Sequence, residues 1–155
     1  MQHEHHYQLT TKWLGNNESG NQDIKRYDRT HSVTIDGKPE LLLTTDNAAV
    51  GDKSKLNPED LLVTAVSSCH MLSYLYVCSL EGIIVNEYTD HAKGIMIEES
   101  KGGGSFKEVV LYPEIKVKES SMIERAIELH HKAHEICYIA NSLNFEVKCE
   151  PNIFT

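Results

Sequence analysis

The fold of this chain is decided by the stretch Asn57-Pro58-Glu59-Asp60-Leu61-Leu62-Val63-Thr64-Ala65-Val66-Ser67-Ser68-Cys69-His70. Asparagine is a favoured N-cap, proline suits the first position of a helix, and the two acidic residues that follow complement the positive end of the helix dipole. Apolar and small residues then recur at three- and four-residue steps, at Leu62, Ala65, Val66, Cys69, Leu72 and Ser73. The stretch therefore predicts a central helix, covered on most sides, that ends near Gly82.

Extended segments are predicted on both sides of this helix. Their apolar residues alternate or run together as in strands, in residues 7–13, 27–35, 40–45, 83–98, 106–118 and 144–149. Asp36-Gly37 indicates a hairpin between the second and third of them. A second helix is predicted from Ser121, which could form a capping box with Glu124. The order βββ-α-ββ-α-β predicts an α+β fold in a single domain over residues 1–155, with residues 1–6 as a flexible N-terminus.

Composition excludes several classes of protein. The 155 residues carry a formal net charge of −8, which argues against a general binder of nucleic acids or anionic membranes. No uninterrupted apolar run approaches the roughly 20 residues of a membrane span. The start Met1-Gln2-His3-Glu4-His5-His6 does not resemble a secretory signal. We therefore expect a cytoplasmic protein with neither nucleic acid nor membrane as a partner.

The four cysteines form no CxxC pair, which favours catalytic or buried thiols over structural disulfides in a cytosolic protein. Cys69 lies in the first helix, and Cys137 lies in a second helix-like stretch, residues 129–142. If the two helices pack side by side, these thiols can meet and carry a cycle from thiol to sulfenic acid to disulfide. The alternative is that both are small buried residues in helix contacts. Cys78 and Cys149 have no surrounding motif and are interpreted as structural.

Two charged residues are candidates for activating Cys69. The helix dipole favours a thiolate only in the first turn of a helix, and Cys69 lies well past that turn. It therefore needs a nearby cation. Arg29 can hold a thiolate and a peroxide oxygen with its fork of donors, although such an arginine can equally be a surface charge. Glu59 is about 15 Å from Cys69 along the helix. It would hold a mobile arginine, serve a second subunit, or simply complement the helix dipole.

A third pattern on the second helix indicates a possible metal site. His130, His134 and Cys137 are spaced i, i+4 and i+7, and would share one helix face. Imidazole and thiolate suit zinc or iron, but ligands on one helix need a further ligand from elsewhere. A metal-binding protein is therefore an alternative hypothesis. His3, His5 and His6 could also bind metal adventitiously.

These residues together resemble the OsmC/Ohr family of osmotically inducible and organic hydroperoxide resistance proteins. The resemblance extends from about residue 27 to 147 and rests on four features, which match the family in order and approximate spacing. They are the start Asn57-Pro58-Glu59-x-Leu61-Leu62, Cys69 after it, Cys137 late in the last helix, and a strand containing Arg29. The residues around Cys69 and Cys137 are similar to those of an OsmC-like branch.

The resemblance implies an intertwined homodimer in which strands of both chains wrap long central helices, with the site at the subunit boundary. It also implies that Cys69 is the peroxidatic thiol, Cys137 the resolving thiol, Arg29 the activating cation and Glu59 the carboxylate that orients it. The expected function is reduction of organic hydroperoxides through a Cys69–Cys137 disulfide, which a small dithiol or a dithiol-bearing protein reduces, with no cofactor or metal. The alternative from another class is a non-catalytic dimeric protein that binds a small apolar ligand.

Overall fold

The computed structural model describes residues 3–155, so the first two residues of the predicted flexible segment 1–6 lie outside it. The described chain is a mixture of strands and two α-helices, which confirms the α+β prediction. In chain order the elements are β1 (Thr10–Trp13), β2 (His31–Thr34), β3 (Leu41–Leu43), α1 (Pro58–Leu80), β4 (Val85–Asp90), β5 (Lys93–Glu98), β6 (Gly104–Leu111), β7 (Pro113–Val117), α2 (Ile123–Ile136), β8 (Glu146–Cys149) and β9 (Asn152–Phe154). One-turn 3₁₀ helices span Ser120–Met122 and Ala140–Ser142. The chain divides into two compact units within the first turn of α1. The first unit ends at Leu61, and the second is Leu62–Thr155.

The first unit contains an antiparallel sheet in the order β1-β2-β3. The predicted hairpin joins β2 to β3, and Gly37 has a φ of 71°, which explains the need for glycine at its turn. Leu43 is buried, and it pairs with Leu56 in an isolated parallel bridge. Arg29 lies in the loop before β2, so the prediction that it belongs to a strand is wrong.

The second unit contains two three-stranded sheets, in the orders β4-β7-β9 and β5-β6-β8. The two long strands predicted at 83–98 and 106–118 are each a pair of strands, and an unpredicted strand, β9, follows the one predicted at 144–149, because the chain passes three times from one sheet to the other. Pro113 and Pro151 lie at two of these crossings, where a residue without a backbone N–H interrupts ladder pairing. At the third crossing, the Asp90 carboxylate accepts a hydrogen bond of 2.8 Å from the N–H of Tyr112. The order of elements is therefore βββ-α-ββββ-α-ββ rather than βββ-α-ββ-α-β.

Helix α1 begins and ends as the sequence predicts. Asn57 Oδ1 accepts a hydrogen bond of 2.7 Å from the N–H of Asp60, and Asp60 Oδ2 accepts one of 3.2 Å from the N–H of Asn57. Two residues past the helix end, Gly82 has a φ of 74°, and the N–H of Ile83 returns to the carbonyl of Cys78 at 2.9 Å. By length and composition alone, the 23-residue helix could cross a membrane, since its most apolar window has a mean hydropathy of 1.5.

The core of the second unit consists of two clusters of buried side chains. The larger one joins α1, β7 and α2 through Tyr74, Val77, Cys78, Ile115, Val117, Ala126, Leu129 and Ala133. The smaller one joins α1 to β6 through Val66, Val109 and Leu111. Helix α1 approaches β5 closely at Gly94, where an added Cβ would lie 2.7 Å from Val63 Cγ2. A larger residue there would require the Val63 and Phe106 side chains to shift.

Helix α2 differs from its prediction at both ends. It begins at Ile123 without a side-chain cap, so the predicted Ser121–Glu124 capping box is wrong. It ends at Ile136, and Cys137 has an extended backbone with ψ of 105°. The Asn141 side-chain amide donates a hydrogen bond of 2.8 Å to the Glu135 carbonyl, which satisfies one of the last helical acceptors. Cys137 is therefore the first residue beyond the helix rather than a residue within it.

Candidate functional site

The structure brings Cys69 and Cys137 together in the second unit. Cys69 is on α1 and half-buried, whereas Cys137 follows α2 and is fully buried. The two side chains lie close enough that the interaction with Cys69 affects the titration of Cys137. All four cysteines are free thiols. The two thiols were expected to meet between two packed helices. Instead, Cys69 on α1 meets Cys137 in the turn that follows α2.

Burial determines the protonation of Cys137. It raises the pKa of the Cys137 thiol to about 11, and the interaction with Cys69 acts in the same direction. Backbone N–H groups of Ala140 and Ile139 favour the thiolate and partly oppose this rise. Cys137 is therefore a protonated thiol at neutral pH. In such a pair the more accessible Cys69 is the thiol that can meet a reagent from solvent.

An open cleft of about 390 Å³ lies beside this part of α1. Ser68 and Met71, close to Cys69 in sequence, are among its lining residues. Its apolar walls include Val63 and Ala92, and its polar side includes Asp90. The Ser67 hydroxyl, which also lines the cleft, donates a hydrogen bond of 2.5 Å to Asp90 Oδ2. A small molecule with an apolar body and a polar end would match this lining.

Arg29 is held by its own loop in the first unit. Its guanidinium donates hydrogen bonds to the carbonyls of Tyr27 and Ile24. It also stacks on the Tyr27 ring, with its central carbon 3.6 Å from the ring centroid. The Trp13 indole packs edge-on against the same Tyr27 ring, with ring centroids 5.9 Å apart. Arg29 is thus ordered by local contacts, and a role at a thiol requires it to leave these carbonyls.

Glu59 is placed in the first turn of α1, as predicted, and its side chain has an unsatisfied atom. Glu59 Oε2 is buried and has no hydrogen-bond partner within residues 3–155. A buried carboxylate oxygen without a donor is energetically costly. The ion pairs formed by the described residues do not include one between Arg29 and Glu59. Glu59 therefore offers a free acceptor to an arginine or to another donor.

A second group of chemically active side chains was not anticipated from the sequence. His70 of α1, His130 of α2 and Cys149 of β8 place one ligand atom each within 4.8 Å of one another. His70 Nε2 and His130 Nδ1 are 3.0 Å apart. The Cys149 sulfur is 3.6 Å from the former and 3.4 Å from the latter. Both histidines are almost fully buried.

This geometry corrects the metal ligands predicted from helical spacing. Because α2 ends at Ile136, Cys137 does not continue the line of His130 and His134. Within residues 3–155, His130 is grouped with His70 and Cys149 instead. Cys149, which was predicted to be structural, supplies the sulfur of this cluster. Three residues on three separate elements leave no spacing signal in a single sequence, so only the packing of α1, α2 and β8 could identify them.

Comparison with known proteins identifies the family. A family described as OsmC-like protein matches residues 51–152. The chain is similar to the structure of an OsmC-like protein of unknown function from Vibrio cholerae, with 31% identity over 96% of this chain and 100% of that chain, and a TM-score of 0.85. A comparison with curated proteins gave no match.

Two solved hydroperoxide resistance proteins share the fold at lower identity. An organic hydroperoxide resistance protein from Elizabethkingia anophelis is 22% identical over 99% of this chain and 98% of that chain, with a TM-score of 0.71. The organic hydroperoxide resistance protein OhrB of Bacillus subtilis is 21% identical over 96% of this chain and 98% of that chain, with a TM-score of 0.64. The family match and the similarity to the Vibrio cholerae protein confirm the predicted resemblance to the OsmC/Ohr family.

Proposed function

The chain belongs to the OsmC-like family, and from that premise we propose that it is a cytoplasmic thiol-dependent peroxidase that reduces organic hydroperoxides to alcohols in defence against oxidative stress. The observation that carries this proposal is the pairing of half-buried Cys69 with fully buried Cys137. Two interacting thiols are the minimum equipment for a peroxidase cycle without a cofactor. The hydroperoxide resistance proteins that share the fold support the substrate class.

The cycle has three balanced steps. The Cys69 thiolate attacks the distal peroxide oxygen, the O–O bond breaks, and the alkoxide leaves as an alcohol after taking a proton, so Cys69 becomes a sulfenic acid. The Cys137 sulfur then attacks the Cys69 sulfur, releasing water and forming a disulfide. A small dithiol or a dithiol-bearing protein, a lipoyl group for example, returns both thiols by exchange and is itself oxidised to a disulfide.

Arg29 and Glu59 are assigned the supporting roles. The Arg29 guanidinium, always charged, would stabilise the Cys69 thiolate and the leaving peroxide oxygen. Its present partners are neutral carbonyls of Tyr27 and Ile24. Glu59, whose Oε2 lacks a donor, would orient the guanidinium once it leaves them, because a bidentate pair between two opposite charges is stronger than hydrogen bonds from the cation to uncharged carbonyls.

The cleft beside α1 is a candidate pocket for the alkyl group of an organic peroxide, since Ser68 and Met71 of its lining are close to Cys69 in sequence, although Cys69 itself does not line it. Val63, Met71 and Ala92 provide apolar walls against which an alkyl group would be buried. Burial of apolar surface is worth about 25 cal/mol per Å², so even a small alkyl group adds affinity that hydrogen peroxide lacks. The Ser67 hydroxyl and the Asp90 carboxylate give the cleft a polar end.

We also propose that the chain is an intertwined homodimer. Helix α1 is the core helix of a soluble fold, yet several of its apolar side chains are exposed. Leu72, Tyr76 and Leu80 are 63%, 58% and 68% exposed. They recur at four-residue steps and form one stripe along the helix. Since apolar stripes of this length are usually covered, a second copy of this chain is the occupant that the family fold suggests.

The test is peroxide consumption with a dithiol reductant. Wild-type protein and Cys69→Ser are compared on cumene hydroperoxide and on hydrogen peroxide, with dithiothreitol or dihydrolipoamide. Turnover that favours the organic peroxide and is lost in Cys69→Ser is expected. Absence of Cys69-dependent consumption of either peroxide would overturn the proposal and favour a dimeric protein that binds a small apolar ligand in the cleft.

A further inference from the structure

We propose that His70, His130 and Cys149 form a binding site for one Zn²⁺ ion, separate from the Cys69–Cys137 pair. The three residues come from α1, α2 and β8 and converge between the two core clusters. Tyr74 of the larger cluster stacks on the His130 ring with centroids 4.0 Å apart. Cys149 packs against the smaller cluster. A metal ion in this position would cross-link three elements that are distant from one another along the chain.

The distances fit a shared metal ion. Zinc bonds of about 2.0–2.1 Å to nitrogen and about 2.3 Å to sulfur, at tetrahedral angles, place two nitrogens about 3.3 Å apart and nitrogen and sulfur about 3.6 Å apart. The corresponding distances here are 3.0 Å between His70 Nε2 and His130 Nδ1, and 3.4 and 3.6 Å to the Cys149 sulfur. Shifts of a few tenths of an ångström would therefore accommodate the ion.

The ring nitrogens of the two histidines are also placed for ligation. Both imidazoles are almost fully buried. His70 Nδ1 and His130 Nε2, the outer ring nitrogens, have no hydrogen-bond partner within residues 3–155. The facing nitrogens are thus the donor atoms that the fold has brought together, since they alone point at another polar group.

The charges around the cluster favour a divalent ion. The Asp90 and Glu150 carboxylates act electrostatically on Cys149, and Asp90 also acts on His70. A Zn²⁺ ion that displaces the thiol proton balances one thiolate and one nearby carboxylate, whereas a monovalent ion would leave net negative charge in a mostly buried place. Imidazole and thiolate are ligands that zinc prefers.

Three protein ligands leave the fourth tetrahedral position of zinc open to water or another small ligand. The ion is redox-inert, so it adds no electron transfer to the thiol chemistry proposed above. Its direct consequence is mechanical: metal bonds would tie α1 and α2 to β8. Binding to the folded state alone raises stability by mass action. The site is thus expected to change the stability of the protein whether or not the peroxidase proposal holds.

The experiment uses the full-length, reduced, chelator-treated protein and Co²⁺ as a spectroscopic substitute for zinc. Wild type is expected to develop a near-ultraviolet thiolate-to-cobalt absorption band at one equivalent, and Zn²⁺ should displace it. In Cys149→Ser the band should vanish and Zn²⁺ affinity, measured with a competing chromophoric chelator, should fall by about 100-fold or more. Zinc should also raise the melting temperature of wild type but not of Cys149→Ser.

Control variants separate this site from the other thiols and histidines. Cys69→Ser, Cys137→Ser and His134→Ala should retain the cobalt band and bind zinc within about twofold of wild type. Binding at His3, His5 or His6 would give no thiolate band. The proposal is overturned if wild type shows no thiolate band, or if the band survives in Cys149→Ser and is lost in Cys69→Ser. Because the decisive band is measured in wild type, a variant that fails to fold does not prevent a decision.

Discussion

The Cys137 side chain lies fully buried against that of Cys69, and the pKa of Cys137 is raised to about 11 by burial and by this contact. The pair is asymmetric, because Cys69 keeps partial exposure while Cys137 has none. This asymmetry assigns the order of events in the proposed cycle. The accessible sulfur meets the peroxide, and the buried one waits for the sulfenic acid.

The two cysteines should give different defects when replaced. Cys69→Ser should abolish peroxide consumption, because the attacking sulfur is gone. Cys137→Ser should consume about one equivalent of peroxide per chain and stop as a Cys69 sulfenic acid. Mass spectrometry after trapping with dimedone measures the product. Cys78→Ala, which removes a buried thiol outside the pair, is the matched control and should turn over normally. Stalling in neither variant would contradict the assignment.

Disulfide closure should accelerate with pH. Below a pKa of about 11, the thiolate fraction of Cys137 rises about tenfold for each pH unit. The raised pKa of Cys137 therefore makes formation of the Cys69–Cys137 disulfide slow at neutral pH and faster as the pH approaches 10. Decay of the dimedone-reactive sulfenic acid after one equivalent of peroxide measures the rate in wild type. A rate that is constant between pH 7 and 10 would show that the thiolate of Cys137 does not limit this step.

Arg29 should matter for reaction with peroxide far more than its neighbour. Arg29→Met should lower kcat/KM for an organic peroxide by roughly 100-fold, which corresponds to about 2.7 kcal/mol of lost transition-state stabilisation. Arg26→Met removes an exposed arginine of the same loop and should stay within about twofold of wild type. Steady-state peroxide consumption compares them. Equal losses in the two variants would assign Arg29 to the stability of the loop instead.

The exposed stripe on α1 should be needed for dimerisation. Leu72→Glu places a charge in the apolar stripe and should convert the dimer to a monomer, since an unpaired buried charge is strongly unfavourable. Ile127→Glu alters a side chain that is 49% exposed on α2, outside this stripe, and should remain dimeric. Sedimentation equilibrium measures both. A wild-type protein that is monomeric at micromolar concentration would overturn the homodimer proposal.

Tyr74, which is buried, and Tyr88, which is half-buried, should respond differently to removal of the hydroxyl. The Tyr74 hydroxyl donates a hydrogen bond of 3.1 Å to the Ala126 carbonyl and links α1 to α2. Tyr74→Phe should therefore cost about 1 kcal/mol, or roughly 2–4 °C in melting temperature. The Tyr88 hydroxyl is buried without a partner within residues 3–155, so Tyr88→Phe should be neutral or stabilising. Equal destabilisation by both changes, measured by thermal denaturation, would contradict this reading of the two hydroxyls.

Sequence reasoning reached the residues whose role is local. The cap at Asn57 and the stop at Gly82 follow from side-chain chemistry and backbone conformation within a few residues, and the structure has both. The Asn57-Pro58-Glu59 start and Cys69 ten residues after Glu59, together with Cys137 and the segment around Arg29, predicted the family that the comparison confirms. The boundaries of long strands were predicted less well, because an apolar run does not show where a chain passes from one sheet to the next. Pro113 marks one such crossing.

The sequence by itself determined the α+β class, the central helix and the family, and it predicted that Cys69 and Cys137 would meet. Each of these depends on a local pattern or a family motif. Only the tertiary structure decided that Cys137 lies beyond the end of α2, that Arg29 is held by its own loop, and that His130 faces His70 and Cys149. Contacts between elements distant in sequence arise from packing, which spacing along one chain does not encode.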